Sequence, residues 1–273
     1  MKNIFVAVDF SEASRKAMDY AAALAQSFKT NMTLVHAYYV PVPVGDVPGY
    51  IPLSFEEVQQ ENEAMLQREI EYVTGKFNIP VDGYVRNGFV ATVIKDLAAE
   101  LGAGLLVMGM KVAGKSSSIF GSSVVSAIRK TTIPLLVIPE EASFSFIKQI
   151  SFAADFKQHP AAGSLAVLEE LAAHFDADVQ VLHVQKNEAF MTAGEAAGKV
   201  GADVSFNRMK HRFYTMVDED VEKGITDFIS THPTDLLVMV AHHHSIFERL
   251  FGTEHTRLIA YRTHVPLLVL HDR

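Results

Sequence analysis

The chain has 273 residues, a formal net charge of −8 at pH 7 and no cysteine, and 49% of its residues are apolar. The acidic balance argues against nucleic acid as a partner, because affinity for duplexes comes mainly from Lys and Arg that neutralise phosphates, and the lack of cysteine excludes disulfides and thiolate chemistry. No apolar run approaches the roughly 20 residues of a membrane-spanning helix, so a membrane is not an expected partner either.

The first half of the chain alternates predicted strands and helices. Short apolar runs fit buried strands, and apolar positions three and four residues apart fit helices. The predicted elements are a strand over 3–8, a helix capped by Ser11, a strand over 32–40, a helix over 55–77 opened by the capping box of Ser54 and Glu57, a strand over 81–86, a helix over 91–101, a strand over 104–108, a helix after Ser122 and a strand over 134–138. This alternation implies a parallel sheet with right-handed crossovers and helices on both faces.

The second half repeats the first in the same order. The matching segments are IFVAVDF at 4–10 and ISFAADF at 150–156, TLVHA at 33–37 and VLHV at 181–184, LLVMGMK at 105–111 and LLVMVAH at 236–242, and TTIPLLVIPE at 131–140 and RTHVPLLVLHD at 262–272. We therefore predict two tandem copies of one α/β domain, over 1–141 and 146–273. Scattered glycines between residues 190 and 211 predict a short or partly irregular second helix in the second copy.

Two segments of the first copy follow strands and could bind a ligand. Asp9 ends the first strand, and residues 109–123, after the fourth strand, include three glycines and five serines. In an open parallel sheet, ligands bind outside the carboxyl ends of the strands, where neighbouring crossovers leave in opposite directions. Glycines allow close backbone approach, and hydroxyls with helix N–H groups favour phosphate. The alternative interpretation is a surface turn capped by Ser122.

Residues 109–116, GMKVAGKS, also match the P-loop pattern. A P-loop requires a helix that begins at its Lys-Ser pair and an acidic residue, at the end of another strand, that helps to hold magnesium. Here the helical pattern begins only after Ser122, and Asp9 is the only obvious acidic residue at a strand end. A P-loop phosphotransferase is therefore a lesser alternative.

In combination, these segments resemble the universal stress protein family. The resemblance spans both copies and rests on VAVDFS at 6–11, LVHA at 34–37, VMG at 107–109 before a Gly/Ser loop, Gly121-Ser122 before the last helix, and IPLLVIP at 133–139. It implies two tandem Rossmann-like domains of the adenine nucleotide alpha hydrolase-like type, each with a five-stranded parallel sheet of order 3-2-1-4-5. It also implies a stress-response or regulatory module that binds ATP or another adenine nucleotide, with magnesium only as a companion of ATP.

The family's nucleotide site, transferred to this sequence, falls in the first copy. The adenine side is expected at Val8, Asp9 and the backbone near Ala37. The ribose and phosphate side is expected at Met108, Gly109, Gly121, Ser122 and Ser123, and Lys111 either offsets phosphate charge or is simply solvated. The loop departs from the family pattern, because Val112 stands at the second glycine and eight residues rather than nine separate it from Gly121.

The second copy departs further from the family pattern. Asp155 and the pair at 252–253 remain, but Ala241 and His244 replace the two early glycines and the loop is shorter. We expect this copy to be degenerate for nucleotide. The run of histidines at 242–244 suggests a metal site, but consecutive loop residues do not usually converge on one ion, so no metal ligand is predicted.

The resemblance also implies how the two copies meet. Family dimers form through the final strand, so residues 134–138 and 266–270 are expected to pair antiparallel within one molecule. This pairing would cover two apolar edges that otherwise invite association. A homodimer of the whole chain is left open.

The sequence as a whole predicts a tandem member of this family that binds nucleotide in its first domain. Met1 leads into a strand without the order of a secretory signal, so the expected location is cytoplasmic. No nucleophile, base and orienting residue stand in a recognisable arrangement, so no catalytic residue is predicted and at most slow ATP hydrolysis is expected. The alternatives are a protein-interaction scaffold in which neither copy binds nucleotide, the P-loop phosphotransferase and a histidine-metal protein.

Overall fold

The computed structural model describes residues 1–40, 54–111, 122–156, 163–185, 193–241 and 264–272. The elements of the first half are β1 Ile4–Ala7, α1 Glu12–Phe28, β2 Met32–Tyr38, α2 Phe55–Phe77, β3 Val81–Asn87, α3 Val90–Leu101, β4 Leu105–Met110, α4 Ser122–Lys130 and β5 Leu135–Pro139. Those of the second half are β6 Gln149–Ala153, α5 Ala166–Phe175, β7 Asp178–Gln185, α6 Ala193–Phe206, β8 His211–Val217, α7 Val221–Thr231, β9 Leu236–Ala241 and β10 Leu267–His271. The predicted α/β alternation is confirmed, and no helix among these residues is long and apolar enough to cross a membrane.

The ten described strands form one sheet of order β3-β2-β1-β4-β5-β10-β9-β6-β7-β8. Within each half the neighbouring strands run parallel, and the first strand lies in the middle of its half, with β1 between β2 and β4 and β6 between β7 and β9. The third strand of each half lies at an outer edge of the sheet. The fifth strands therefore meet at the centre.

One antiparallel strand pair joins the two halves. The facing residues of β5 and β10 are Leu135 with Val269, Leu136 with Leu268, and Val137 with Leu267. All six side chains are at most 2% exposed. Each strand covers an apolar edge that would otherwise be open to association. The predicted intramolecular pairing of the final strands is confirmed.

Helices cover both faces of the sheet. α1, α2, α5 and α6 pack on one face, where Leu24 and Phe206 are among the buried side chains. α3, α4 and α7 pack on the other face, around residues such as Ile94 and Phe228. Because both faces are buried, the central strands β1 and β4 are continuous apolar runs instead of alternating ones.

The second helix of the second half was predicted to be short or partly irregular, and it is short: α6 is a continuous helix of 14 residues, whereas its counterpart α2 has 23. Close packing against the backbone of Phe156 explains why a glycine stands at position 198 of this helix. A Cβ at this position would lie 1.9 Å from the carbonyl oxygen of Phe156. Glycine weakens a helix by roughly 0.5–1 kcal/mol relative to alanine, but here it permits a close approach to the backbone that a larger residue would block.

A second glycine allows α1 to lie against β4. A Cβ on Gly109 would lie 2.3 Å from the carbonyl oxygen of Ala13 and 2.9 Å from the backbone nitrogen of Ser14. These are backbone atoms in the first turn of α1, so they cannot rotate away as a flexible side chain could. Glycine at this position therefore sets the distance between the start of α1 and the end of β4.

We expect Gly109→Ala to lower the free energy of unfolding by about 1–3 kcal/mol, because the methyl group forces α1 away from β4. Gly75→Ala is the matched control, since a Cβ on this exposed residue of α2 meets nothing within 4 Å. The control should raise stability by about 0.5–1 kcal/mol through its helix preference. Urea unfolding followed by circular dichroism measures both changes, and an equally stable Gly109→Ala protein would contradict the close packing of α1 on β4.

The strand pair at the centre of the sheet makes a second prediction. Leu136→Ala and Leu268→Ala should each cost about 2–5 kcal/mol of unfolding free energy, because each removes a fully packed side chain. Since the two residues face each other, the double variant should depart from additivity by at least about 0.5 kcal/mol.

Leu34→Ala serves as the control for this cycle, because β2 lies four strands from β10 in the sheet. Its combination with Leu268→Ala should be additive within about 0.5 kcal/mol. Equal additivity in both double variants would show that β5 and β10 do not stabilise each other.

Candidate functional site

A cavity of about 300 Å³ lies at the carboxyl edge of the strands in the first half. It lies where β1 and β4 are neighbours, and α1 and α4, which follow these strands, pack on opposite faces of the sheet. Such a switch point is where ligands bind in open α/β sheets. The lining residues are Ala7, Val8, Asp9, Ser11, Ala13, Ser14, Val35, Ala37, Val90, Met108, Gly109, Met110, Lys111, Ser123 and Val124.

The cavity brings together seven of the nine residues that the sequence assigned to a ligand site. They are Val8, Asp9, Ala37, Met108, Gly109, Lys111 and Ser123. Ser122 begins α4, as predicted, but is not part of the lining. Gly121 lies outside the described residues, and so does Val112 with the rest of the loop between them.

Asp9 is the acidic residue of the cavity, and its surroundings favour the ionised form. Its Oδ1 accepts a hydrogen bond of 3.0 Å from the backbone N–H of Ser11. Burial raises the pKa of the Asp9 carboxyl, but the hydrogen bonds from the hydroxyl and N–H of Ser11, with the charge of Lys111, bring the pKa below its ordinary 3.8. Because the folded-state pKa is lowered, the resulting stabilisation is complete above the unfolded pKa and is lost as the pH falls through the folded value.

His36 fixes the backbone on which Asp9 stands. Its Nδ1 donates to the carbonyl oxygen of Val8 at 2.7 Å, and its Nε2 lies 2.8 Å from Oδ1 of Asn62 on α2. Phe10 has a φ of +61°, and its ring centroid lies 4.4 Å from that of His36. A left-handed backbone at a residue with a side chain is strained by roughly 1–2 kcal/mol. The contact with His36 stabilises this turn, and with it the position of Asp9.

Sequence patterns alone gave His36 no role, although a signal was present. The second half repeats the device: Nδ1 of His183 lies 3.2 Å from the carbonyl oxygen of Ala154, and the ring of Phe156 lies 4.4 Å from that of His183. A histidine at the same place in the repeated TLVHA and VLHV segments, each following an Asp-Phe pair, could have indicated it. The device occurs in both halves, so it belongs to the architecture of the turn and not to one ligand.

Positive charge gathers at the same cavity. Ser123 and Val124, in the first turn of α4, line it, and the N–H groups of a first helical turn have no partner within their own helix. These groups carry partial positive charge, which favours anions. Lys111 adds a full charge to the lining, near enough to Asp9 to affect its pKa. The cavity therefore offers an ionised acceptor, Asp9, together with groups suited to phosphate.

An exposed aromatic pair lies next to the cavity, and no sequence pattern predicted it. Tyr39 follows β2 and Phe89 follows β3, and their rings stack 5.4 Å apart with an angle of 16° between the planes. They are 62% and 68% exposed. Val90, directly after Phe89, lines the cavity. Two residues that follow neighbouring strands meet at the same edge of the sheet, and only the strand order reveals this.

The second half keeps the acidic residue and changes its surroundings. Asp155 follows β6 as Asp9 follows β1. The histidines at 242–244 and the pair at 252–253 lie outside the described residues. Nδ1 of His264 contacts the carboxylate of Glu141, and Nε2 of His271 lies 2.9 Å from the carbonyl oxygen of Ile128, so both histidines connect the halves. The described residues contain no group of three or more His, Cys, Asp or Glu arranged for a metal.

Comparisons with known proteins agree with this fold. Universal stress protein G of Escherichia coli O157:H7 is 32% identical over 150 residues, which cover 50% of this chain and 98% of that protein. Universal stress protein G of Salmonella typhimurium is 30% identical over 153 residues, with the same two coverages. The crystal structure of a universal stress protein from Archaeoglobus fulgidus DSM 4304 superposes with a TM-score of 0.75 over 99% of this chain and 98% of that one, at 16% identity, a level that shows the fold alone.

The duplication is also found by the family model. The model of the universal stress protein family matches the chain twice, over residues 1–139 and 147–271. The two matches correspond to the two half-sheets that meet at β5 and β10. The protein therefore belongs to the universal stress protein family.

Proposed function

We propose that the first domain binds an adenine nucleotide, with ATP as the leading candidate, in the cavity between β1 and β4. The observation that carries this proposal is the pairing of an ionised Asp9 with Lys111 and the first turn of α4 in one cavity. The protein then acts as a regulatory, stress-response binding module. At most slow ATP hydrolysis is expected, because the sequence shows no recognisable arrangement of nucleophile, base and orienting residue.

The lining divides into two parts that match the two parts of a nucleotide. Val8, Val35 and Met108 offer apolar contact to a base, while Asp9 and the backbone near Ala37 offer hydrogen bonds to it. Lys111 and the N-terminus of α4 offset the charge of phosphates. Magnesium would accompany the phosphates of ATP and needs no ligand from the protein.

The size of the cavity agrees with this division. About 300 Å³ lies at the lower end of the range of ligand pockets, roughly 300–1,000 Å³. This volume suits the base and sugar, with the phosphates extending towards Lys111 and the start of α4. The exposed pair of Tyr39 and Phe89 lies at the same carboxyl edge of the sheet, where it can restrict access to the cavity.

The second domain is proposed to be a built-in partner and not a second nucleotide site. It keeps Asp155, but its loop lacks the early glycines, since Ala241 and His244 stand in their places. We propose domain boundaries at 1–141 and 146–273, joined by the pairing of β5 with β10. A cytoplasmic location and association into a homodimer stay predictions.

Asp9→Asn tests the site directly. The amide keeps an oxygen for the N–H of Ser11 but loses the charge, so the affinity for ATP should fall about tenfold to a hundredfold, as expected for a hydrogen bond to a charged group. Asp155→Asn is the matched control, because Asp155 is the equivalent residue of the second half, and it should leave the affinity unchanged. Isothermal titration calorimetry with ATP and magnesium measures both.

Two results would contradict the proposal. One is the absence of saturable binding by the wild-type protein at about millimolar ATP, a weak affinity that calorimetry still detects. The other is an equal loss of affinity in Asp9→Asn and Asp155→Asn. The first result would favour the alternative of an interaction scaffold in which neither domain binds nucleotide.

Lys111→Ala separates the phosphate side from the adenine side. Because Lys111 is exposed, its charge is partly screened and the loss in ATP affinity should be moderate, about threefold to tenfold. Adenosine has no phosphate, so its affinity should stay the same. Titrations at low and high salt should show a weaker salt dependence for the variant. A parallel loss of ATP and adenosine binding would place Lys111 on the wrong side of the ligand.

A further inference from the structure

A second cavity, of about 330 Å³, lies at the amino edge of the strands in the second half, where β6, β7 and β8 begin. Its lining comes from this half alone, so a ligand bound there is independent of any nucleotide in the first half. Most of the lining is polar, and its polar residues include Gln149, Asp178, Gln180, Lys210, Arg212 and Tyr214. Side chains alternate along a strand, and register places Asp178 and Gln180 on one face with Gln149 and Arg212.

Gln180 is the buried polar residue of this cavity. It is 6% exposed, and its Nε2 donates to Oε1 of Gln149 at 2.7 Å and to the carbonyl oxygen of Pro233 at 3.3 Å. Its own Oε1 is buried without a hydrogen-bond partner among the described residues. An unmet buried acceptor costs roughly 1–3 kcal/mol, and for this reason most such atoms have a partner. Oε1 of Gln180 therefore has no hydrogen-bond donor, and a bound molecule could supply one.

The first half fills the same place without a ligand. Strand register gives Asn3, Thr33 and Asp82 as the equivalents of Gln149, Gln180 and Arg212. Thr33, only 1% exposed, donates from Oγ1 to Oδ1 of Asn3 at 3.0 Å, so this smaller pair is satisfied. In the second half, Gln149 and Gln180 are longer than their equivalents, and Oε1 of Gln180 has no partner. Arg212 is positive, whereas its equivalent in the first half is negative. The repeat thus shows that the fold itself does not require this polar cavity.

The charges of the lining are of both signs. Arg212 is exposed, and its guanidinium group forms no ion pair or hydrogen bond within the part of the chain that the structure describes. Lys210 already pairs with Asp176, 2.5 Å away. This pairing is the main reason why the pKa of the Lys210 ammonium group is raised, and the charge of Asp178 adds to it. Asp178 forms no salt bridge in the described ranges, so a ligand with groups of both charges could pair with Asp178 and with Arg212 at once.

We propose that this cavity binds a small zwitterion of the amino-acid type. The carboxylate of the ligand pairs with the guanidinium of Arg212, whose planar fork fits a carboxylate. Its ammonium group donates to Asp178 and, once the amide of Gln180 turns into the cavity, to the unmet Oε1 of Gln180. The volume of about 330 Å³ admits a free amino acid, and the charges of the lining select it. The second domain, whose nucleotide loop is degenerate, thereby has a ligand site of its own.

The test is calorimetry of the full-length protein with each standard L-amino acid, and with propionate and ethylamine as ligands that carry one charge only. At least one amino acid should bind saturably, and more tightly than propionate or ethylamine. Arg212→Gln should weaken that binding at least about tenfold, because a charge-assisted bidentate contact is lost. Asp178→Asn should weaken the binding of the amino acid without weakening that of propionate.

Arg208→Gln is the matched control, since Arg208 is an exposed arginine of the same domain whose guanidinium lies 3.8 Å from Glu169, outside the cavity. It should leave amino-acid binding unchanged. No saturable binding of any amino acid up to about 10 mM would overturn the proposal, as would binding that Arg212→Gln does not weaken. Propionate binding as tight as that of every amino acid would also overturn it, because the ammonium group would then have no role.

Discussion

The antiparallel pairing of β5 with β10 is the contact on which the rest of the molecule depends. Each half is a parallel half-sheet whose last strand is mostly apolar, and an exposed apolar edge would invite association with another chain. Six buried residues from the two strands cover both edges at once. Contacts between the halves add to this pairing, such as the stacking of Phe28 on His174 at 3.9 Å and the ion pair of the Met1 amino group with Glu170.

Joining two equivalent domains leaves each of them free to change separately. The turn after the first strand keeps the same His, Phe and carbonyl contacts in both halves, at His36 and at His183, because these contacts hold the backbone. The residues around that turn differ. The first half places Asp9 beside Lys111 at its carboxyl edge, and the second half places Gln180 and Arg212 at its amino edge.

The two halves therefore differ in the residues that line their cavities, whereas they share the contacts that pack the backbone. Gly109 and Gly198 are packing residues. Each lets a neighbouring backbone segment approach closely, and this contact explains the glycine without a ligand. In the sequence, Gly109 looked like part of a phosphate loop. Its close contact with Ala13 is enough to require a glycine, so the proposed nucleotide site is argued from Asp9, Lys111 and the start of α4.

The sequence by itself determined the α/β class, the duplication and the approximate element bounds of the first half, because strands buried on both faces and capped amphipathic helices leave strong local patterns. It also indicated Asp9 and the segment after β4 as parts of a site, whereas Val8, Ala37 and Met108 were implied by the family resemblance. It could not reveal the stacking of Tyr39 on Phe89, the unmet oxygen of Gln180 or the regular packing of α6. These depend on which strands are neighbours and how closely backbones approach, and only the tertiary structure sets those distances.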